Sequence, residues 1–370
     1  MNNTGRTVLV TGATGRQGGS VIRRMLAKGW KLRALTRKPD SAASRELAGG
    51  GIEVVAGDME EAGTLGPALR GAYGVFSVQD FWAVGATREV QQGKNLADAA
   101  KQAGVEHFVY SSVGGAERNS GIDHWESKWE IEKHIRKLGL PATMLRPAAF
   151  MDNYYIDKVE IALLKGKLMD PIRADKPYQT IATEDIRAFA ALAFSRPRDF
   201  VGLELEIAGS ELTNPQAAQV FSRVLGKPVR FQKLPMPMVR LVLGKEFYQM
   251  FQWFNADGFR ANIPELRRNY PEVRLQTLEE WLRAEGWHKR ARHIVPPKAS
   301  SGEDEGRRTM QGIELHDGEF FKILWDEESG FRRTIRQCNT EARTAFVKPS
   351  GVLPAKARLP RRQMAEFRRT

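Results

Sequence analysis

Residues 7–21 read Thr7-Val8-Leu9-Val10-Thr11-Gly12-Ala13-Thr14-Gly15-Arg16-Gln17-Gly18-Gly19-Ser20-Val21, and the fold is decided there. Thr7–Thr11 is a β-branched run of strand length that stops at a glycine. From Gln17 to Lys28, Val21 with Met25 and Ile22 with Leu26 recur at helical spacing. Strand, tight loop and helix are predicted in that order. Gly12, Gly15 and Gly18 are spaced G-x-x-G-x-x-G across the junction. A diphosphate approaches such a turn closely only where Cβ atoms are missing. The helix start then offers it unpaired N–H groups and partial positive charge.

Outward from this stretch the alternation continues. Lys31–Thr36 reads as strand, Ser41–Leu47 as helix, Ile52–Ala56 as strand, Glu60–Arg70 as helix and Tyr73–Val78 as strand. Arg88–Ala103 then reads as an Ala-rich helix, Glu106–Ser111 as strand, Asp123–Leu138 as helix and Pro141–Leu145 as strand. Strands alternating with helices mean βαβ units, right-handed crossovers and a parallel sheet. The predicted fold class is α/β, with a Rossmann-type doubly wound parallel sheet over residues 5–150. A smaller, mostly helical C-terminal lobe over residues 151–290 is expected to interleave partly with the sheet. Residues 291–370 are expected to form a disordered basic tail.

In the second lobe, Met151–Leu164 looks helical, Thr183 is expected to cap a helix beginning Glu184-Asp185, and Gly202–Ile207 reads as a strand. Thr213-Asn214-Pro215-Gln216 and Thr277-Leu278-Glu279-Glu280 are capping-box signatures. Met236–Phe259 is rich in Met and Phe, with Tyr248, Phe251 and Phe254 near helical spacing. That stripe reads first as core and second as a pocket lining. In the tail, Ile313–Trp325 alternates loosely around Asp317-Gly318, a hairpin cue too small to stand alone.

The 370 residues carry 57 Lys and Arg against 44 Asp and Glu, a net charge of +13 that invites a nucleic-acid reading. From Lys289 onward there are 18 bases and 11 acids, so over half of the excess belongs to the tail. No helix-turn-helix, zinc or aromatic-platform signature accompanies it, and no direct nucleic-acid contact is expected. The short runs Arg332-Arg333 and Arg358-Leu359-Pro360-Arg361-Arg362 read as solvated charge or, at most, a nuclear-import patch. The one cysteine, Cys338, excludes an intramolecular disulfide and a thiolate metal cluster. The histidines show no metal-ligand spacing, so no metal is predicted. No apolar run reaches the about 18 residues of a membrane span, and Met1–Arg6 is too short and polar for a signal peptide. A cytoplasmic or nuclear protein is expected.

The end of the second strand bears on which dinucleotide would bind. An acidic residue there accepts from a ribose 2′-hydroxyl, whereas a cation pairs with a 2′-phosphate. Here the chain has Thr36-Arg37-Lys38 and no carboxylate until Asp40. Arg37 offers a bidentate fork and Arg16 a second charge, so NADP(H) is preferred over NAD(H). Asp58, after the third strand, is placed to meet the adenine edge, or serves as a turn-former. Gln79-Asp80-Phe81-Trp82 follows the fourth strand at the carboxyl edge, where cofactors bind in such sheets.

At this point Val10–Val21 resembles the opening of the NmrA-like family, an atypical branch of the short-chain dehydrogenase/reductase fold. Further matches are Thr36-Arg37, Gly57-Asp58, Tyr110-Ser111-Ser112, His124-Trp125-Glu126-Ser127-Lys128 with Glu132, and Leu145-Arg146-Pro147 with Phe150-Met151-Asp152-Asn153. Leu278-Glu279-Glu280-Trp281-Leu282 fits as well, so the resemblance spans about residues 5 to 290 and has no counterpart for the tail. It implies a cofactor site built from Gly12, Thr14, Gly15, Arg16, Gln17, Gly18, Arg37, Asp58, Gln79, Lys128 and Phe150.

What the resemblance implies about catalysis divides. The wider superfamily uses Tyr-x-x-x-Lys, in which Tyr shuttles a proton while Lys holds the ribose and lowers the Tyr pKa. Here His124 stands four residues before Lys128, so the spacing is kept and the tyrosine is not. His124 and Lys128 are the candidate catalytic pair. The positive end of the helix dipole would weaken His124 as an acid, and its alternative role, with Trp125, is to cap and pack the helix start. Two function classes follow. One is a redox-sensing regulator that couples NADP(H) binding to a protein partner, as characterised NmrA-like proteins act on transcription regulators. The other is an NADPH-dependent oxidoreductase of a small carbonyl, quinone or phenylpropanoid-like substrate.

Overall fold

The computed structural model describes residues 5–290, and every strand expected before Arg146 pairs in parallel with a neighbour. These are β1 (Thr7–Val10), β2 (Lys31–Thr36), β3 (Glu53–Ala56), β4 (Gly74–Ser77), β5 (His107–Ser111) and β6 (Ala142–Pro147). The Glu204–Ile207 strand joins β6 in parallel, which completes a seven-stranded sheet in the order Glu204–Ile207, β6, β5, β4, β1, β2, β3. Strand order reverses between β1 and β4, and the crevice at that switch point opens at the carboxyl ends of the strands.

β4, β5 and β6 are buried along their whole length, as strands covered on both faces must be. Alternate residues go to opposite layers. Val8, Val10, Phe76 and Val109 pack with Val21, Ile22 and Met25 of the Arg16–Leu26 helix and with Phe189 of the Thr183–Ser195 helix. Leu9, Val75, Phe108 and Tyr110 pack on the other face with Leu96 and Ala100 of the Ala86–Gln102 helix and Ile131 and Ile135 of the Asp123–Lys137 helix. Residues beyond 150 thus contribute both an edge strand and a covering helix to the sheet.

Three local expectations are corrected. Glu60–Arg70 is not one helix: Gly63, Gly66 and Pro67 reduce it to a single 3-10 turn, Ala62–Thr64, and the short Leu65–Leu69 helix. Met151–Leu164 divides into a 3-10 turn, Met151–Tyr155, and the Asp157–Leu164 helix. Thr183 does not cap its helix. Asp152 takes that role from outside, with one carboxylate oxygen accepting from the Thr183 N–H at 3.2 Å and the Thr183 hydroxyl at 2.7 Å. Both capping boxes form, at Thr213/Gln216 and Thr277/Glu280.

The Met- and Phe-rich stripe is the Met236–Ala256 helix, interrupted at Gly244 by a φ of 85°. Its Trp253 and Phe254 are buried and, with Phe259, surround the Trp125 ring. Among the described residues, no helix is long and apolar enough to cross a membrane, and no group of three or more His, Cys, Asp or Glu is placed to hold a metal. The tail expectations, including Cys338, the Asp317-Gly318 hairpin and the arginine runs, lie outside the described residues.

Candidate functional site

The glycine loop is shaped by backbone crowding. Thr11, at the end of β1, is locked to β4, its hydroxyl donating to Val78 O at 2.9 Å and accepting from Val78 N–H at 2.8 Å. Gly12 then turns with a φ of +59°, and its carbonyl accepts from Gly15 N–H at 2.9 Å. A Cβ on Gly18 would lie 2.3 Å from Gly12 O and 2.5 Å from Thr11 O, so the helix can approach the loop only as glycine. Gly15 is the N-cap of the Arg16–Leu26 helix; no side chain caps it, and no acid stands in the first turn. Gly12, Thr14 and Gly15 are exposed while Thr11, Ala13 and Gly18 are buried. The result is an open cradle of unpaired N–H groups with no competing carboxylate, which fits a dinucleotide diphosphate.

The other expected cofactor residues line up along the carboxyl edge. Arg37 is exposed and makes no side-chain hydrogen bond or ion pair among the described residues, although its charge is felt by Glu60. Asp58 is half-buried and forms an Asx turn, with Oδ1 accepting from Glu60 N–H at 2.9 Å. Gln79 is buried. Its amide donates to Ser77 Oγ at 3.0 Å, and its Oε1 has no partner, an orphaned acceptor next to the Val78–Thr11 clamp. Such an atom calls for an external donor. Gln17 accepts from the Ser111 hydroxyl at 2.7 Å, which ties the first helix to the end of β5. Phe150 is half-buried in the short Ala149–Phe150 strand. The Arg16 side chain lies outside the described residues.

His124 and Lys128 lie on the Asp123–Lys137 helix and meet different partners. Lys128 Nζ is 2.5 Å from Oε1 of Glu89, a fully buried carboxylate that also accepts from the Ser127 hydroxyl. His124 sits among aromatic rings, its centroid 5.3 Å from Phe81 and 5.0 Å from Trp82, with Trp82 stacked on Phe247 at 5.3 Å. Phe81 and Trp82 open the short Phe81–Val84 helix that follows β4, so the start of the Asp123–Lys137 helix reaches the carboxyl edge of the sheet. Trp125 has the packing role, buried with its indole donating to Gly114 O at 2.7 Å.

The start of the Asp123–Lys137 helix, the positive end of its dipole, is met from another helix. A carboxylate from the Met236–Ala256 helix meets that positive helix end: Glu246 accepts from the Asp123 N–H at 3.3 Å, the His124 N–H at 3.2 Å and the His124 Nδ1. Burial alone would raise the Glu246 carboxyl, but these hydrogen bonds from His124 and its neighbour outweigh it and hold it below the usual range.

Glu89 and Glu246 are the functional residues that sequence reasoning missed. Each had a signal. Glu89 shares a helical face with Gln92, Gly93, Leu96, Ala97 and Ala100, all buried, which puts a carboxylate where an apolar residue is expected. Glu246 is the lone acid between Met236 and Phe254 and directly follows the Gly244 break.

Comparison with known proteins shows the family and the fold. The chain is 38% identical over 164 residues to an NmrA-like family domain-containing oxidoreductase of Cladobotryum sp, an alignment covering 41% of this chain and 49% of that one. It is 31% identical over 239 residues to the NAD(P)H azoreductase of Xenophilus azovorans, covering 63% of this chain and 79% of the relative. In structure it resembles an NADPH-dependent quinone oxidoreductase of Escherichia coli complexed with NADPH, with 25% identity and a TM-score of 0.65 over 75% of this chain and 99% of that one. The model of the NmrA-like family, whose fold and NAD(P)-binding oxidoreductase members these matches represent, fits residues 4–282, and the chain belongs to that family.

Proposed function

We propose that this chain is an NADPH-dependent reductase of flat, conjugated acceptors such as quinones or azo compounds. The observation that carries the reading is the aromatic cluster at the carboxyl edge of the sheet, in which Phe81 and Trp82 flank one ionisable ring, His124, and Phe247 stacks on Trp82. Flat conjugated molecules stack on such rings. The azoreductase and quinone oxidoreductase among the similar proteins support the same substrate class.

In this reading the start of the Arg16–Leu26 helix and Gly12, Gly15 and Gly18 hold the diphosphate, with Thr14 and Gln17 beside it. Arg37 and Arg16 meet the 2′-phosphate, Asp58 the adenine edge and Gln79 Oε1 a donor of the bound nucleotide, while Phe150 packs against it. Lys128, steadied by Glu89, holds the ribose next to the nicotinamide. The reduced nicotinamide, when bound, supplies the hydride. The protein's task is to orient the acceptor over that ring, keep water out and provide a proton.

Stopped-flow NADPH oxidation against a panel of quinones and azo dyes tests this. Turnover that Lys128→Ala abolishes supports the reductase. Tight NADPH binding with no turnover on any acceptor would refute it, and would favour instead a nucleotide-sensing regulator that couples the cofactor to a protein partner.

A further inference from the structure

We infer that Glu246 is a positioning residue that makes His124 the proton donor to the reduced acceptor, a role that rests on the reductase reading. An ionised carboxylate only accepts hydrogen bonds, so the His124 Nδ1 facing Glu246 must carry the proton, which leaves Nε2 to serve the acceptor. The same carboxylate also accepts from two backbone N–H groups of the helix start. Three donors therefore fix its place, and through it the plane and tautomer of the imidazole. Both side chains are largely shielded, 12% exposed for His124 and 21% for Glu246, so the pair is not a solvent-screened surface contact.

The Met236–Ala256 helix is built to deliver this group. It breaks at Gly244, whose φ of 85° an L side chain rarely adopts, although a Cβ there would meet nothing within 4 Å. Backbone conformation, rather than crowding, is therefore what Gly244 supplies, and the chain restarts its helix with Glu246 and Phe247 directed at His124 and Trp82. The step balances simply. A quinone accepts a hydride and becomes a hydroquinone monoanion, and the nicotinamide is oxidised in the exchange. His124, doubly protonated with Nδ1–H on Glu246, gives the monoanion its Nε2 proton and is left as the neutral Nδ1–H tautomer, and solvent then returns a proton to Nε2.

A cationic triarylmethane dye distinguishes this from a structural role, because its central carbon takes a hydride and needs no proton. NADPH-driven kcat is measured on a benzoquinone and on such a dye for wild type, Glu246→Gln, Glu246→Asp and His124→Asn. The quinone-to-dye kcat ratio should fall about 100-fold in Glu246→Gln and in His124→Asn, the scale of a lost general acid, and recover in part in Glu246→Asp. In the protein without cofactor, at a pH where the ring is neutral, the imidazole nitrogen shifts should report an Nδ1–H tautomer in wild type and a mixture in Glu246→Gln. A ratio unchanged in Glu246→Gln, in an enzyme that turns over both acceptors, overturns this inference alone. A wild type that reduces neither removes the reductase reading and this role together.

Discussion

Gly18→Ala is the most direct test of how the cradle is built. The added methyl would sit 2.3 Å from Gly12 O, 2.5 Å from Thr11 O and 2.6 Å from the Gly12 carbonyl carbon. All three neighbours are backbone, so no side chain can swing aside. Thr11 cannot retreat either, because its hydroxyl is bonded twice to Val78 at the end of β4. Restoring ordinary contact takes a displacement of about 1 Å, the usual scale of backbone shift in overpacked sites, and costs about 1–3 kcal/mol. The element left to move is the Arg16–Leu26 helix, whose first N–H groups are the proposed phosphate ligands. NADPH affinity should therefore drop at least about tenfold, since about 1.4 kcal/mol corresponds to a factor of ten, and the urea midpoint should fall as well. Gly66→Ala is the control, because a Cβ there meets nothing within 4 Å. Titration calorimetry with NADPH and urea unfolding, run on both variants, decide the matter. A Gly18→Ala protein that binds NADPH and unfolds like wild type would refute the crowding account.

Three further outcomes are expected. His107 is fully buried in β5, with Nε2 bonded to Thr143 Oγ1 at 2.8 Å, and burial pushes it down to about 4. The unfolded chain therefore takes up this proton first, and stability that is complete above about pH 6.5 is lost as pH falls toward 4, by about 3 kcal/mol in all; wild type and His107→Gln should converge over that window in urea titrations, and parallel curves would contradict it. Glu132, fully buried, accepts from Arg146 Nε at 3.0 Å and Nη2 at 2.6 Å and from Arg136 at 2.7 Å; Arg146 also keeps Glu204 at 2.7 Å and Glu117 at 3.0 Å, so Glu132→Gln should cost about 1–3 kcal/mol, the scale of weakened buried hydrogen bonds, and a loss below about 0.5 kcal/mol in thermal and urea unfolding would show Glu132 to be dispensable. Arg37→Ala should weaken NADPH at least about tenfold and leave NADH nearly unchanged, as removal of a phosphate-pairing cation does; equal affinities before and after would remove the NADP(H) preference.

The sheet was legible because its signals are local. Buried parallel strands are short aliphatic runs, and β2 runs from Lys31 to Thr36, as its pattern reads. The glycine loop was legible because backbone conformation and the absence of Cβ are written in residue identity. Local pattern and structure part where a distant group captures a residue or a breaker lies inside the window. Thr183 has the right chemistry for a cap, yet Asp152, 31 residues away, captures both its N–H and its hydroxyl. Glu60–Arg70 carries helical spacing, but two glycines and a proline divide it, and breakers inside a window outweigh periodicity.

The same division explains why the cofactor half of the site could be read and the acceptor half could not. A diphosphate is held by main-chain N–H groups within one contiguous segment, so spacing alone describes it. The rest of the proposed site is assembled from distant helices: Glu89 steadies Lys128 from 39 residues away, and Glu246 reaches His124 from 122. Neither carboxylate competes with the anionic cofactor, because each already faces a cation or a set of N–H donors. This arrangement lets a site for a phosphate-rich ligand keep two acids at its edge, one fixing Lys128 and one fixing His124. A tyrosine at position 124 would need no Glu246 to present its phenol, whereas an imidazole has two nitrogens and its partner decides which one faces the substrate. In the proposed reductase His124 and Glu246 therefore act as one unit, although 122 positions separate them.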